Sequence, residues 1–199
     1  MIIRSVEFAG SVGSPDQPLP GDLPQVAFSG RSNVGKSSLI NVLLGRTRKK
    51  LAHVSSKPGK TRTVNFYRVN DRFFLVDLPG FGYAKTSGSV REEWRRLVEW
   101  YLSRPQGLVG VVHLVDGRHP PFPPDREMME YLGELGVPAL VVLTKIDRVG
   151  KSKREQALET TAGDLGLDPE QLLAFSSKTK EGRNTLLAAL DHLLPPGGG

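Results

Sequence analysis

Residues 30–37 read Gly-Arg-Ser-Asn-Val-Gly-Lys-Ser, a glycine-rich segment of the form Gly-x-x-x-x-Gly-Lys-Ser. The apolar run 25–29 before it predicts a β-strand, and the amphipathic stretch 36–44 after it predicts a helix that ends at Gly45. A glycine-rich turn between a strand and a helix is the setting of the phosphate-binding loop of P-loop proteins. A turn that matches so short a pattern by chance is the alternative, and the flanking strand and helix favour the phosphate loop.

The residue types of this loop predict its chemistry. Gly30 and Gly35 let the backbone curl so that successive N–H groups face phosphate oxygens, and the polarity of a helix N-terminus strengthens anion binding. Lys36 would reach the β- and γ-phosphate oxygens of a nucleoside triphosphate, and the Ser37 hydroxyl would ligate Mg²⁺. We therefore expect nucleotide contacts from Gly30, Arg31, Ser32, Asn33, Val34, Gly35, Lys36, Ser37 and Ser38.

Outward from this loop, short apolar runs alternate with longer amphipathic stretches, which is the pattern of βαβ units around a parallel sheet. The predicted strands are residues 2–8, 25–29, 64–69, 72–76, 109–115, 140–143 and 172–175. The predicted helices are residues 36–44, 91–103, 125–135, 151–165 and a last helix that ends near residue 194. Residues 46–63 and 78–90 are predicted loops.

These elements predict an α/β fold of the P-loop NTPase type, a mostly parallel, doubly wound sheet with helices on both faces. One antiparallel hairpin turns at Asn70-Asp71. The length of 199 residues suits one domain, and the chain has neither an internal repeat nor a linker long enough to mark a second one. We expect a single nucleotide-binding domain over residues 1–199.

The amino-acid composition and net charge limit the classes of protein to which this chain can belong. The sequence contains no cysteine, which excludes disulfides and thiolate metal sites, and it has neither a signal-like N-terminus nor a long apolar run that would span a membrane. A cytoplasmic location is expected. The net charge of +6 attracts polyanions such as RNA, although a basic surface also serves only to keep a protein dispersed.

A second loop, Asp77-Leu78-Pro79-Gly80, follows the run 72–76. The Asp77 carboxylate is predicted at the end of a strand beside the phosphate loop, where it would hold a magnesium-bound water. The N–H of Gly80 would donate to the γ-phosphate. An aspartate before Pro-Gly is often only a turn, but its position one hairpin after the phosphate loop favours a nucleotide-sensing loop.

Base recognition is predicted for Thr144, Lys145, Ile146 and Asp147, which follow another buried strand. The Asp147 carboxylate would accept hydrogen bonds from N1–H and N2–H of guanine, whereas adenine offers neither donor there. Lys145 would lie along the base plane. Phe175, Ser176 and Ser177 close the last strand, where backbone N–H groups would contact the guanine oxygen. These loops predict binding of GTP and GDP; a solvated Thr-Lys-x-Asp loop is the alternative.

Five longer stretches are distinctive: GRSNVGKSSLIN from Gly30, SSKPGKTRTVNFY from Ser55, VDLPGFGYAK from Val76, TKID from Thr144 and FSSKTKEG from Phe175. Together they resemble the bacterial EngB-type (YihA/YsxC) GTPases of the translation-factor class. The resemblance implies GTP hydrolysis as a switch in assembly of the large ribosomal subunit, with effects on cell division and septation. Large subunits and rRNA would be partners, and we expect a monomer.

The same resemblance assigns the switch loop. It makes Thr61 the residue that ligates Mg²⁺ when the γ-phosphate is present, with contacts from Gly59, Lys60, Thr61, Arg62 and Thr63. On the residues alone, Thr63 competes with Thr61 for this role. The basic residues of the same region would contact rRNA, or would form only a solvated charge run. They are Arg46, Arg48, Lys49, Lys50, Lys57, Lys60 and Arg62.

Hydrolysis would depend on Lys36, Thr61, Gly80 and Asn33. Phe81 stands where Ras-like enzymes carry a water-orienting glutamine, and a phenyl ring cannot hydrogen-bond to water, so slow intrinsic turnover is expected. Asn33 resembles the asparagine that binds an activating K⁺ ion in related GTPases, or it merely stabilises the turn. A P-loop kinase and a scaffold that binds GTP without hydrolysing it are the competing functions.

Overall fold

The computed structural model describes residues 1–45, 63–81, 88–104 and 107–196. Within these ranges seven strands form one sheet in the order β1-β3-β4-β2-β5-β6-β7. The strand bounds are β1 Val6–Val12, β2 Gln25–Gly30, β3 Val64–Val69, β4 Phe73–Asp77, β5 Leu108–Asp116, β6 Ala139–Thr144 and β7 Leu172–Ala174. Strand β3 runs antiparallel to both neighbours, and the pairs from β4 to β7 are parallel. The predicted fold class is confirmed.

The described helices cover both faces of this sheet. They are α1 Lys36–Leu43, α2 Gly88–Leu102, α3 Pro123–Glu134, α4 Arg154–Leu165 and α5 Arg183–Leu193. Short 3₁₀ turns occupy Ile146–Arg148, Lys151–Lys153 and Pro169–Gln171. The predicted helix 151–165 is thus a 3₁₀ turn followed by α4. None of the helices in the described ranges has both the length and the apolar character needed to cross a bilayer.

Two separate hydrophobic cores lie on the two sides of the sheet. Because successive side chains of a strand point to opposite faces, Val26 and Phe28 of β2 pack with α1 and α5, whereas Ala27 faces the core that α2, α3 and α4 share. All six residues of β2 are buried. This double coverage explains why the central strands read as continuous apolar runs in the sequence.

The first strand is where prediction and structure differ most, since β1 spans Val6–Val12 rather than residues 2–8. The backbone N–H groups of Arg4 and Ser5 donate to the side-chain oxygen of Asn70, and the Asn70 amide donates to the carbonyl of Ile2. The leading segment therefore binds the tip of the β3–β4 hairpin mainly through the Asn70 side chain, with one backbone hydrogen bond from the Asn70 N–H to the carbonyl of Ser5. The strand itself continues through a bulge between Phe8 and Gly10.

Candidate nucleotide-binding site

The predicted site residues come together at one edge of the sheet. The phosphate loop follows β2, Asp77 ends β4, Thr144 ends β6 and Phe175 follows β7. All four strands run in the same direction, so their carboxyl ends share an edge, where ligands bind in open α/β sheets. Four segments far apart in the chain thereby form one candidate site.

The phosphate loop has a backbone shape that depends on glycine. Gly30 has φ +151° and Gly35 has φ +108°, values that L-residues with side chains rarely adopt. A Cβ at Gly30 would also lie 2.9 Å from the carbonyl oxygen of Leu114. Gly35 is the N-cap residue of α1, and no side chain of the described residues caps this helix end. The N–H groups of its first turn are therefore available to an anion.

Lys36 and Asp77 form a buried ion pair between the phosphate loop and β4. Lys36 is 8% exposed and Asp77 is 4% exposed. The pairing of β2 with β4 brings Asp77 beside Phe28, directly before the loop. Ser37, only partly exposed, is the second residue of α1. A hydroxyl and a carboxylate are hard oxygen donors of the kind that Mg²⁺ prefers.

The segment after Asp77 lies against the phosphate loop. The N–H of Ser32 donates to the carbonyl of Phe81 at 2.8 Å, and the N–H of Phe81 donates to the carbonyl of Gly30 at 3.4 Å. A Cβ at Gly80 would be 3.3 Å from the Cα of Ser32. Glycine at position 80 thus permits a close approach of the two loops.

Two segments, Thr144 to Asp147 and Phe175 to Ser177, are the predicted base-reading loops, and Lys145 joins the first of them to the phosphate loop. Its Nζ donates to the carbonyl of Asn33 at 2.8 Å and contacts Oδ2 of Asp116 at 2.9 Å. The backbone at Lys145 is left-handed, with φ 58°. Thr144 adds a second link, because its hydroxyl donates to the carbonyl of Val34 at 2.6 Å.

Asp116 is a site residue that sequence reasoning missed. Burial alone would raise the pKa of its carboxyl, but hydrogen bonds from Arg118 and Lys145 bring the pKa well below its usual range. Arg118 holds the carboxylate with two side-chain bonds of 2.8 and 2.7 Å. The available signal was its place at the end of the apolar run 109–115, the same position that marks Asp77 on β4.

Asp147, the predicted guanine reader, is held by Ser176. The Ser176 hydroxyl donates to Asp147 Oδ1 at 2.7 Å, and this hydrogen bond lowers the pKa of the carboxyl. Ser176 is fully buried, and its oxygen also accepts the N–H groups of Lys178 and Thr179. Its predicted role was a backbone contact to the base; the structure adds a side-chain contact that orients Asp147.

Two groups stand out among the remaining predicted residues. Four of them have side chains buried in the protein, which leaves mainly their backbone groups for a ligand: Val34, Leu78, Ile146 and Phe175. Gly59, Lys60, Thr61 and Arg62 lie outside the described residues, as does the whole basic cluster of residues 46–62. Thr63 is described, and its hydroxyl donates to Asn65 Oδ1 at 3.1 Å.

Comparison with known proteins supports a nucleotide site. A model of the family described as 50S ribosome-binding GTPase matches residues 25–145. The probable GTP-binding protein EngB of Pelotomaculum thermopropionicum is 49% identical over 191 residues, which is 96% of both chains. The Bacillus subtilis protein of the same name is 44% identical over 195 residues, covering 98% of this chain and 99% of the relative.

Solved structures agree on the fold. The crystal structure of a probable GTP-binding protein engB has a TM-score of 0.72 at 24% identity and covers 85% of this chain and 97% of that one. A structure of Era in complex with MgGDPNP and a segment of 16S ribosomal RNA has a TM-score of 0.69 at 24% identity, over 89% of this chain and 59% of that chain. At these identities the likeness describes architecture alone.

Proposed function

This chain belongs to the EngB family of GTP-binding proteins, a family of GTPases, and we propose that it hydrolyses GTP to GDP and phosphate as a molecular switch. It does so as one GTP-binding domain over residues 1–199 that acts as a monomer. The observation that carries the proposal is the convergence of Lys36, Lys145 and Asp147 on one edge of the sheet. Lys145 bonds directly to the phosphate loop, so the base and phosphate positions are fixed relative to each other.

Different residues of the site bind the base, the phosphates and the metal ion. Asp147 accepts the two guanine donors, and Lys145 lies along the base. Phosphate oxygens compete with Asp77 for the Lys36 ammonium, so binding of a triphosphate releases the Asp77 carboxylate. The Ser37 hydroxyl would ligate Mg²⁺ directly, Asp77 would hold it through a water, and Thr61 would be the switch ligand. When bound, the ion would neutralise negative charge on the β- and γ-phosphates.

The chain's own groups then explain why turnover is slow. Lys36 and the N–H of Gly80 stabilise negative charge on the transferring phosphoryl group. Phe81 offers no hydrogen bond to the attacking water, because its side chain is apolar and only 6% exposed. Water positioning therefore depends on groups outside this segment, and we propose that a cation or the ribosome supplies the stimulus.

Calorimetry and a phosphate-release assay test this function directly. We expect GTP and GDP to bind, ATP to bind far more weakly, and phosphate to appear slowly with GTP. Uptake of ATP as tightly as GTP would contradict the role of Asp147. A phosphorylated metabolite among the products would indicate a kinase, and GTP binding without any turnover in the presence of large ribosomal subunits would indicate a scaffold.

We propose K⁺ as one stimulus, bound with the help of Asn33. The backbone at Asn33 is left-handed, with φ 64°, and its carbonyl already accepts Lys145, which leaves the exposed amide to a cation. K⁺ should raise turnover above that in Na⁺ in the native protein. In Asn33→Ala the two rates should be equal, and Asn33→Gly, which tolerates the positive φ, controls for backbone strain. Equal rates in the native protein would remove the cation from the mechanism.

We also propose that the large ribosomal subunit and its RNA are the partners, with cell division and septation depending on their assembly. Beside the base-reading loop lies a groove of ≈ 490 Å³ lined by Arg118, Arg148 and Lys153, and none of its lining residues in the described ranges is acidic. Arg118 is paired with Asp116, so the exposed Arg148 and Lys153 are the cations assigned to RNA phosphates.

Sedimentation with large subunits tests this partner. Binding should be stronger with a GTP analogue than with GDP and should weaken as salt rises. Arg148→Glu/Lys153→Glu should weaken binding and lower the salt slope by about 1 for each phosphate that the variant no longer neutralises. Arg4→Glu/Arg68→Glu makes the same charge change at the other edge of the sheet and should have a smaller effect. Equal weakening in the two variants would mean that the groove residues contribute to binding only through the net charge of the protein.

A further inference from the structure

Three polar side chains form a hydrogen-bonded row in the interior, directly behind the phosphate loop. The Ser29 hydroxyl lies 2.8 Å from His113 Nδ1, and His113 Nε2 lies 3.2 Å from Asp125 Oδ1. Ser29 belongs to β2, His113 to the neighbouring strand β5, and Asp125 to the first turn of α3. All three are at most 1% exposed.

The hydrogen-bond partners define one arrangement for the histidine ring. A carboxylate only accepts, so in the neutral ring Nε2 carries the hydrogen toward Asp125, and Nδ1 accepts the Ser29 hydroxyl. The second oxygen of Asp125 accepts the N–H of Phe122 at 2.9 Å, which fixes the carboxylate at the start of α3. The ring is thus held from two sides in a single plane.

This row has the residue types of a serine hydrolase triad, but it cannot act as one. A nucleophilic serine must reach a substrate carbonyl, and Ser29 is 1% exposed within a strand whose residues are all buried. Burying three polar groups is unfavourable unless each is satisfied. Each of the three groups has a partner, so the row can hold the His113 ring in a fixed place.

The face of the His113 ring lies against Phe81. The two ring centroids are 5.8 Å apart and the planes are inclined by 14°, which is a stacked geometry. Phe81 is 6% exposed, and its backbone forms the two hydrogen bonds to Ser32 and Gly30 of the phosphate loop described above. The row thus connects the residue after Gly80 to both β2 and α3.

We propose that His113, oriented by Ser29 and Asp125, is a positioning residue that seats Phe81 on the phosphate loop and thereby presets the N–H of Gly80 for the γ-phosphate. The role deepens the proposed function and rests on it, because Gly80 is assigned to a phosphate that GTP has and GDP lacks. If one loop residue is already ordered before the ligand binds, binding avoids a conformational free-energy cost of about 1–2 kcal/mol. This corresponds to a roughly five- to thirty-fold gain in affinity for the triphosphate.

Two substitutions of His113 separate its ring from its hydrogen bonds. In His113→Gln the amide can donate to Asp125 and accept from Ser29, but the stacked ring is gone. In His113→Phe the ring remains, whereas the buried Asp125 carboxylate and Ser29 hydroxyl each lose a partner, which lowers stability. Calorimetry with GDP and a GTP analogue, single-turnover hydrolysis and the melting temperature are measured for both.

We expect His113→Gln to bind GDP like the native protein while its affinity for the GTP analogue falls roughly five- to thirty-fold, with slower single-turnover hydrolysis. His113→Phe should melt at a lower temperature and lose less affinity for the GTP analogue than His113→Gln, because the stacked ring remains but its two orienting hydrogen bonds are gone. Phe81→Leu should reproduce the weakening seen in His113→Gln, and the double variant should be no worse than either, since both remove the same stacking of rings.

If both His113→Gln and Phe81→Leu kept the native ratio of GTP-analogue affinity to GDP affinity, the positioning role would be wrong. The row would then be only a structural element, and the proposal of GTP binding would be unaffected. Additive effects in the double variant would also overturn the positioning role. Failure of the native protein to bind GTP would instead defeat the proposed function, so the two failures are distinguishable.

Discussion

The phosphate loop and the base-reading loops lie on the same edge of the sheet but are built from different parts of the chain. The phosphate loop depends on main-chain conformation, with left-handed or otherwise positive φ at Gly30, Asn33 and Gly35. The base-reading loops depend on side chains, chiefly Asp147 held by Ser176. Lys145 and Thr144 bond from the second region to the first.

This difference separates two properties of the site. Main-chain N–H groups and a lysine recognise any polyphosphate, because every nucleotide carries the same phosphate oxygens. A carboxylate aimed at a base edge recognises only a base with donors at matching positions. The first region should therefore determine whether a nucleotide binds, and the second should determine which one.

The largest effect is expected from Lys36→Ala, which removes the ammonium group that would contact the phosphates and leaves the base-reading side chains unchanged. Loss of two charge-assisted hydrogen bonds to phosphate, about 3–6 kcal/mol, should weaken GTP and GDP together, by roughly 10²- to 10⁴-fold for GTP. Calorimetry measures the affinities. If the variant failed to bind GTP but kept GDP at native affinity, Lys36 would be a γ-phosphate contact only.

The same change should also destabilise the fold, because it leaves the buried Asp77 carboxylate without its partner at a cost of about 3–5 kcal/mol. Lys36→Met/Asp77→Asn removes both charges and is the control for this. It should recover most of the thermal stability and still fail to bind. Recovery of binding in the double variant would mean that the weak binding of Lys36→Ala came from unfolding.

A smaller effect, on choice of base rather than on phosphate binding, is expected from Asp147→Asn. An asparagine amide donates where guanine also donates, so GTP affinity should fall by about 1.5–3 kcal/mol, or roughly 10- to 100-fold. Xanthine carries an oxygen at that position, so xanthosine triphosphate should bind the variant better than the native protein. Competition titrations with both nucleotides measure this exchange, and an equal fall in affinity for both would place Asp147 away from the base edge.

Sequence reasoning succeeded where one local pattern determines the structure. The phosphate loop, the hairpin at Asn70-Asp71 and the central strands were all predicted, because each combines a short motif with an apolar run that is covered on both faces. The edge strand β1 was misplaced by four residues at each end, since an edge strand with the exposed Phe8 and a bulge between Phe8 and Gly10 has no such run.

Contacts between distant residues could not be predicted in this way. Ser29 and His113 are 84 positions apart, and Lys145 is 112 positions from Asn33, so no spacing rule relates them. Only the pairing of β2 with β5, and of β5 with β6, brings these side chains together. The residue types at the ends of strands indicate a site, whereas its hydrogen-bond network requires the fold.

The smallest effect is expected from Ser176→Ala, which tests whether side chains alone maintain the base-reading region. The Ser176 hydroxyl lowers the pKa of Asp147, and a carboxylate must be ionised to accept both guanine donors. With its pKa depressed, Asp147 stays ionised as the pH falls, so GTP affinity is retained until the pH approaches that lowered value. Removing the hydroxyl raises the pKa toward the ordinary range for aspartate, and the acid limb of GTP binding should begin at a higher pH.

At neutral pH Asp147 is ionised in both proteins, so the two affinities should differ there by only a few-fold, roughly the contribution of one hydrogen bond that orients the carboxylate. Titrations of GTP from neutral to acid pH measure the pH at which GTP affinity begins to fall. The control is Ser177→Ala, which removes a hydroxyl one residue away and should have the same pH dependence as the native protein. An unshifted limb in Ser176→Ala would mean that Asp147 is oriented by its backbone, and the base-reading loops would then be built like the phosphate loop after all.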